Sequence, residues 1–291
     1  MALHHPEYLI STEALQAALG DADLVILDST TTLVPNAAGT FDIVTGQAAF
    51  EAGHIPGAQF VDLERDLSRP AEGLLFTLAE VGDFAQAAAR FGIGADSRVV
   101  VYSSAQPGWA VRLWFTLRAY GFSRVQVLDG GLKAWVAEGR ALEQGPAQPR
   151  PAPATPFAWR DERADWFVDA PRVEQAVATG DAVLVNALGR DYFAGTAAIT
   201  YGRKGNIPGS RNLPTGELVG ADGRYLSADA LAAAYAQEGI PPEAEVITYC
   251  GAGVAGSNVA FGRLLLGLDR TRVYDGSLME WGQDPKRPLV S

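Results

Sequence analysis

One residue of this chain combines a reactive side chain with a following loop that could support it. Cys250 is the only cysteine among the 291 residues. The loop that follows it consists of small residues, Gly251, Ala252, Gly253, Val254 and Ala255. Glycines let a backbone curl so that successive N–H groups point inward, and a helix start just beyond adds partial positive charge. We therefore predict that Cys250 is a nucleophile, against the alternative that it is a small hydrophobe filling the core.

Four short motifs occur twice in the same order, offset by about 150 residues, which indicates a duplicated domain. The paired segments are 24–28 with 183–186, 53–58 with 205–210, 99–103 with 246–250, and 129–132 with 275–278. In this alignment Ser103 stands at the cysteine position of the first copy, and Pro107 removes one N–H from its loop. The chemistry of Cys250 is therefore expected in the second copy alone.

Short apolar runs alternate with longer helix-compatible stretches in both copies. We predict strands over 24–28, 98–102, 124–128, 182–185, 245–249 and 272–274, and helices over 12–19, 81–91, 109–120, 227–238 and 257–266. Strands that are apolar throughout are typical of a parallel sheet covered on both faces, so we predict an α/β fold with a mainly parallel sheet flanked by helices in each unit. Cys250 would then lie at the carboxyl end of a strand, where open parallel sheets bind ligands.

Five prolines between 144 and 156 predict a semi-rigid linker. The first domain is accordingly predicted to span 1–143 and the second 157–291.

Composition excludes several classes of function. A net charge of −11 argues against nucleic acid and anionic membranes as partners. No apolar run approaches the roughly 20 residues of a membrane span, and the N-terminus lacks a secretory pattern, so a cytoplasmic location is expected. One cysteine excludes an internal disulfide and a cysteine-based zinc site, and the three histidines show no ligand spacing. We predict neither a metal nor a cofactor.

The loop from Tyr249 to Ala255, with Gly-x-Ile-Pro-Gly upstream and the segment 275–281 downstream, resembles the tandem rhodanese-type sulfurtransferases, which include thiosulfate and 3-mercaptopyruvate sulfurtransferases. This resemblance implies two rhodanese-like domains with the active cysteine in the C-terminal copy. It also implies a two-step reaction. Cys250 would take a sulfane sulfur from a small anionic donor, thiosulfate or 3-mercaptopyruvate, and pass it from a persulfide to a thiol or cyanide.

The chain departs from the family pattern where the donor would be held. Family members usually carry Asp-x-Arg after the first strand of the second domain, and here the run is Asn186-Ala187-Leu188. Ala252 replaces the loop hydroxyl residue that is typical of mercaptopyruvate enzymes. Arg190 is the candidate cation for the donor anion, followed by Arg203 and Lys204. Each of the three could instead be a solvated surface charge.

His54 lies in the Gly-x-Ile-Pro-Gly turn of the first domain, where the family's histidine faces the cleft, and it is a second candidate for substrate binding. Asp28 or Asp42 could pair with it. The alternative is a turn histidine that bonds only to local backbone. Asp275, like its counterpart Asp129, is expected to support the structure of its loop.

Two other functions compete with sulfur transfer. Phosphatases that share this fold need an arginine six residues after the cysteine, and Gly256 stands there, which argues against them. A non-enzymatic persulfide carrier or sensor for a partner protein remains the alternative.

Overall fold

The structure is a computed structural model that describes residues 2–37, 39–69 and 71–290. Its strands within these ranges are β1 (Leu9–Ile10), β2 (Leu24–Asp28), β3 (Thr31–Pro35), β4 (Phe41–Thr45), β5 (Ala58–Phe60), β6 (Arg98–Tyr102), β7 (Val125–Leu128), β8 (Phe167–Val168), β9 (Val183–Asn186), β10 (Arg211–Asn212), β11 (Val246–Tyr249) and β12 (Thr271–Tyr274).

The helices are α1 (Thr12–Ala18), α2 (Gln47–Ala52), α3 (Leu63–Leu67), α4 (Val81–Arg90), α5 (Gly108–Ala119), α6 (Gly131–Ala137), α7 (Arg163–Trp166), α8 (Ala170–Thr179), α9 (Arg190–Phe193), α10 (Ala228–Gln237), α11 (Val254–Leu265) and α12 (Ser277–Gln283). Two short 3₁₀ turns cover Pro6–Tyr8 and Thr215–Leu218.

The duplicated unit is visible in two five-stranded sheets with equivalent strand orders. The first sheet runs β1-β7-β6-β2-β5 and the second runs β8-β12-β11-β9-β10. Every pairing recorded within both sheets is parallel, because helices on the two faces provide the crossovers. The predicted α/β fold with two mainly parallel sheets is therefore confirmed, and the predicted strands lie within one residue of β2, β6, β7, β9, β11 and β12.

The helix behind the cysteine loop begins earlier than predicted. It starts at Val254 rather than at residue 257, directly after Gly253, whose φ is 75°. The later predicted start rests on Gly256, which the sequence assigns to the loop. In the structure Gly256 lies inside the helix, where it allows α11 to pack closely on β11. A Cβ at that position would lie 3.2 Å from the Cα of Tyr249 on β11. The first turn of α11 consequently lies immediately beside the cysteine.

A two-stranded antiparallel hairpin, β3 with β4, was not predicted. It begins directly after β2, and Thr31 pairs with Thr45 at its base. Its signal is present in the sequence as two runs rich in β-branched residues, separated by a turn containing proline, asparagine and glycine. The hairpin extends the first domain toward the second.

Two buried helices join the domains. The helix after the serine loop, α5, and the helix after the cysteine loop, α11, are buried over almost their whole lengths and pack on each other. Their first residues meet, since a Cβ on Gly108 would lie 3.4 Å from the carbonyl oxygen of Val254. This contact makes the loops that precede the two helices face one another across the domain interface.

The proline-rich segment 144–156 contains none of the named helices and strands, and it lies against the first domain. The amide of Ala95 donates to the carbonyl of Thr155 at 2.8 Å, and that of Gly145 donates to Glu51 at 2.7 Å. The domain limits drawn at 143 and 157 stay a prediction. In the part of the chain that the structure describes, no helix is both long and apolar enough to cross a bilayer.

Candidate active site

Cys250 lies at the carboxyl end of the central strand β11, at the base of a cavity of about 330 Å³ between the two domains. Its side chain is almost completely buried, with 3% of the residue exposed. The first domain supplies Thr31, Gln106 and Trp109 to the wall, and the second supplies Leu188 and Tyr201. The residues of the loop predicted from the sequence, except Gly253, line the same cavity.

The hydroxyl of Ser277 holds the cysteine loop in its curled form. It accepts hydrogen bonds from the amides of Cys250 and Gly253, both at 3.1 Å, and donates to the carbonyl of Tyr274 at 2.9 Å. The loop is also fixed from α12, because the amide of Leu278 donates to the carbonyl of Cys250 at 3.0 Å. Ser277 is fully buried and has a φ of 48°, a conformation that L residues rarely adopt. The strain at this position is compensated by the contacts that its hydroxyl makes.

We expect loss of this hydroxyl to slow the sulfur loading predicted for Cys250, in two variants that differ in stability. Ser277→Ala and Ser277→Gly both leave two buried amides without an acceptor, which costs about 1–3 kcal/mol. Glycine suits the positive φ, so Ser277→Gly should be more stable than Ser277→Ala by about 1 kcal/mol. Both should lower the rate of loading about tenfold, since the loop loses its fixed geometry. Urea unfolding and rapid-quench mass spectrometry measure the two quantities. If the more stable Ser277→Gly loaded sulfur at the wild-type rate and only the less stable Ser277→Ala were slow, the proposed role of the Ser277 hydroxyl would be contradicted.

The equivalent loop of the first domain satisfies its own amides. The amide of Ser104 donates to the Thr30 hydroxyl at 2.8 Å, and the amide of Ala105 donates to the Ser103 hydroxyl at 3.1 Å. Thr30 is in turn fixed by the buried carboxyl of Asp28, whose pKa is raised by burial. At the position of Thr30 the second domain has Leu188, which has no hydroxyl to offer. Only the second loop therefore leaves these amides for a ligand or a sulfur anion.

A buried arginine from the first domain supports the cysteine loop from behind. Arg112, on α5, is 2% exposed, pairs with the carboxylate of Asp275 and donates to the carbonyl of Phe76 at 2.6 Å. Among the described residues its Nη1 has no hydrogen-bond partner. A Cβ on Gly253 would lie 3.0 Å from this nitrogen, so the guanidinium packs directly on the loop backbone.

The aromatic ring of Tyr201 covers the loop on the cavity side. A Cβ on Gly251 would collide with its ring, so only glycine permits this contact. Phe41 of the hairpin stacks on the same ring, with centroids 4.5 Å apart, and thereby joins the two domains over the loop. Burial, with a smaller contribution from Cys250, raises the pKa of the Tyr201 hydroxyl above its ordinary value. This hydroxyl is therefore neutral at physiological pH.

The structure does not bring Arg190 to the cavity. Its guanidinium is bound by Glu217 at 2.8 Å and Glu238 at 2.6 Å, and it donates to the carbonyl of Asn212. Arg203 is likewise engaged, since it donates to backbone carbonyls near the C-terminus, and neither it nor Lys204 lines the cavity. Arg190 was predicted to bind the donor anion. The structure corrects this prediction, because the guanidinium is paired with Glu217 and Glu238 away from the cavity.

His54 also lies away from Cys250 and does not line the cavity. It is 2% exposed, its Nδ1 lies 2.8 Å from the carbonyl oxygen of Phe50, and its ring stacks on the Phe50 ring at 3.8 Å. Its Nε2 lies 3.7 Å from Glu143, whereas Asp42 bonds to Asn36 within the hairpin. The expectation that His54 faces the cleft is corrected, and the alternative of a turn histidine bonded to local backbone describes its position.

Asp275 and Asp129 make structural contacts, but these contacts join the two domains and do not lie within the loop of each residue. The carboxylate of Asp275 holds Arg112 of the other domain, and that of Asp129 accepts from the amide of Tyr225 at 2.9 Å. Both aspartates therefore fasten one domain to the other.

The site thus has one free thiol at the end of a central parallel strand, in one of two copies of the same α/β unit. The chain belongs to the rhodanese family, because the rhodanese-like domain matches residues 11–138 and again residues 170–284. It is a sulfurtransferase, as its relatives over nearly the full length indicate.

Three similar proteins illustrate this relationship. A probable 3-mercaptopyruvate sulfurtransferase of Pseudomonas aeruginosa is 32% identical, over 97% of this chain and 98% of the relative. A sulfur carrier protein of Thermus thermophilus is 29% identical, over 97% of this chain and 96% of its own. The crystal structure of a 3-mercaptopyruvate sulfurtransferase from Escherichia coli superposes with a TM-score of 0.79 at 27% identity, covering 93% of this chain and 98% of the other.

Proposed function

We propose that Cys250 is the residue that carries the sulfur, as a persulfide, and that residues 251–255 form the cradle of that persulfide. The thiolate attacks the sulfane sulfur of a small donor, the remainder of the donor leaves, and a thiol or cyanide then removes the sulfur from Cys250. The observation that carries this proposal is the position of the only cysteine in the interdomain cavity, beside the first turn of α11.

Electrostatics of the loop support the proposal. Ser277 binds the amides of Cys250 and Gly253, so those of Gly251, Ala252 and the first turn of α11 remain for a sulfur anion. Preorganised backbone donors of this kind stabilise developing negative charge without reorganisation during the reaction. The helix N-terminus adds to the same effect. In the first domain, the hydroxyls of Thr30 and Ser103 take the corresponding amides, which supports the assignment of chemistry to the second domain alone.

We retain the anionic donor expected from the sequence, thiosulfate or 3-mercaptopyruvate, but we propose that a group other than Arg190 binds it. Since Arg190 is held by two glutamates, a donor anion would have to rely on the loop amides. The Pseudomonas aeruginosa relative carries 3-mercaptopyruvate in its name, which supports a small-molecule donor here.

Steady-state kinetics separate the enzyme from the alternative of a persulfide carrier. With excess sulfur donor and cyanide, we expect thiocyanate to accumulate over many turnovers per molecule of protein. A carrier would load once, release one sulfur and require a partner protein to continue, as the name of the Thermus thermophilus relative suggests for that protein. Product limited to one equivalent would overturn the enzymatic proposal and favour the carrier.

A further inference from the structure

The cavity around Cys250 has no ionic side chain with which to hold an anionic donor. Among the described residues, its wall contains no lysine, arginine, histidine, aspartate or glutamate. Arg190, the cation predicted for this role, is paired with Glu217 and Glu238 elsewhere. An anion that leaves water for such a site needs hydrogen bonds in place of an ion pair, since a buried charge without partners is costly. Neutral N–H and O–H groups of the wall therefore have to supply part of the binding.

The indole of Trp109 brings one such group from the first domain. Trp109 lies in the first turn of α5, is 2% exposed and lines the cavity. Three other buried indoles each donate to a backbone carbonyl, those of Trp114, Trp135 and Trp281. The Nε1–H of Trp109 has no hydrogen-bond partner among the described residues, yet its nitrogen is not sealed by surrounding protein atoms. Since Trp109 is otherwise buried, this open donor indicates a ligand group in the cavity.

The hydroxyl of Tyr201 brings a second group from the other domain. Tyr201 lines the same cavity, its ring lies against Gly251, and its hydroxyl has no hydrogen-bond partner in the described part of the chain. Burial and, to a smaller extent, the charge of Cys250 raise the pKa of this hydroxyl, so it keeps its proton and can donate. The contribution of Cys250 also shows that the hydroxyl lies near the nucleophile. One cavity thus contains two open donors, one from each domain.

We propose that the indole N–H of Trp109 and the hydroxyl of Tyr201 together bind the anionic group of the sulfur donor. This deepens the proposed function of Cys250 and rests on it. The chemistry required is a group of charged oxygens that accepts two hydrogen bonds, supplied by the sulfonate-like oxygens of thiosulfate or by the carboxylate of 3-mercaptopyruvate. Hydrogen bonds to a charged acceptor are about twice as strong as neutral ones, so two of them replace part of what an arginine would supply. They add to the contacts of the loop amides beside Cys250.

Two conservative variants each remove one of the donor groups. Tyr201→Phe keeps the ring on Gly251 and its stack with Phe41, and Trp109→Phe keeps an aromatic ring in the wall. Rapid-quench intact mass spectrometry of the full-length protein measures sulfur loading against the concentration of thiosulfate and, separately, of 3-mercaptopyruvate. Each variant should raise the half-saturating donor concentration about tenfold, the effect of one hydrogen bond to a charged group. The maximal rate should change less, because the free donor already carries the charge that is bound.

The two donors and a control variant make the result specific. The donor whose half-saturating concentration rises is the one that the two groups bind. Tyr192→Phe should change nothing, since the ring of Tyr192 lies 5.9 Å from that of Tyr201 but does not line the cavity. Thermal unfolding checks that each variant is folded. No rise with either donor would overturn the proposal, and a rise in only one variant would contradict a contact shared by the two domains.

Alkylation of Cys250 tests the same contacts without sulfur transfer. Iodoacetate carries a carboxylate and iodoacetamide is its uncharged counterpart, so the ratio of their rates reports on anion binding in the cavity. Tyr201→Phe and Trp109→Phe should each lower this ratio about tenfold, and Tyr192→Phe should leave it unchanged. An unchanged ratio in the first two variants would overturn the inference even if donors load. Failure of both donors to load the wild-type protein, with the ratio still lowered in the variants, would defeat only the proposed function.

Discussion

Replacing Cys250 with serine is expected to lower kcat/KM for sulfur transfer by at least about a thousandfold, because the nucleophile is lost and a serine oxygen does not hold a transferable sulfane sulfur. The fold should persist, since the loop contacts at this position come from the backbone N–H and C=O groups of Cys250. Thermal unfolding monitored by circular dichroism checks the fold, and formation of thiocyanate from cyanide checks the activity. Retained transfer in a folded Cys250→Ser protein would contradict the assignment.

The first domain offers a matched control for this variant. Ser103→Cys, added to Cys250→Ser, restores a single cysteine at the equivalent position of the other sheet. We expect no recovery of transfer. The hydroxyl of Thr30 already takes the amide of Ser104, and Gly131 stands where the second domain has the Ser277 hydroxyl. Recovery of substantial activity would show that a cysteine at the end of a central strand is sufficient, and that the loop contributes little.

Removal of the buried arginine between the domains should have the largest effect on stability. Arg112→Met removes the donor to the carbonyl of Phe76 and the ion-pair partner of Asp275. Asp275 is 23% exposed and also accepts from the amide of Leu78 at 3.4 Å, so the cost should be about 3 kcal/mol, the lower end of the range for breaking a buried ion pair. We expect the free energy of unfolding in urea to fall by that amount. The rate of sulfur loading should fall as well, because the guanidinium packs on the backbone of Gly253. A stability change below about 1 kcal/mol, the value of a surface pair, would contradict this role.

Two further variants separate charge from geometry at this contact. Arg112→Lys keeps the charge but lacks the fork that reaches both Asp275 and Phe76, so it should recover only part of the stability. Asp275→Asn combined with Arg112→Met completes a double-mutant cycle. A coupling energy above about 0.5 kcal/mol is expected for two groups in direct contact. Strict additivity would mean that the two residues act independently.

Much of the fold could be predicted from the sequence because the relevant signals are local or repeated. The apolar runs in the sequence predict the strands β2, β6 and β11. The four duplicated motifs predict the two-domain arrangement. The hairpin β3–β4 is not predicted, although its runs of β-branched residues are present, because its strands are half-exposed and lack the continuous apolar pattern of buried parallel strands. The early start of α11 is not predicted, because Gly256 is a poor helix former. Glycine is required at this position because α11 packs closely on β11 there.

The candidate site was predicted less completely, since its supporting contacts join residues that are distant in the chain. Cys250 and its loop form one continuous segment, so the sequence alone can nominate them, and their role in sulfur transfer stays a prediction. Arg190 was chosen by its nearness in sequence to the missing arginine, yet Glu217 and Glu238 hold it elsewhere. Arg112 carried no sequence signal, because it is one of two arginines in a largely apolar helix of the other domain, and nothing local distinguishes it from Arg118. For Ser277 a signal existed: it replaces Gly131 in the repeated motif.

The central claim is that the transferred sulfur resides on Cys250, and mass spectrometry of the loaded protein tests it most directly. Full-length protein exposed to a sulfur donor, freed of excess reagent and blocked with an alkylating agent should gain the mass of one sulfur. After proteolysis, that sulfur should be found on the peptide containing Cys250, and cyanide added before alkylation should remove it. Cys250→Ser protein treated in the same way should gain nothing. Sulfur transfer that proceeds while the Cys250 peptide never carries the added sulfur would contradict the account.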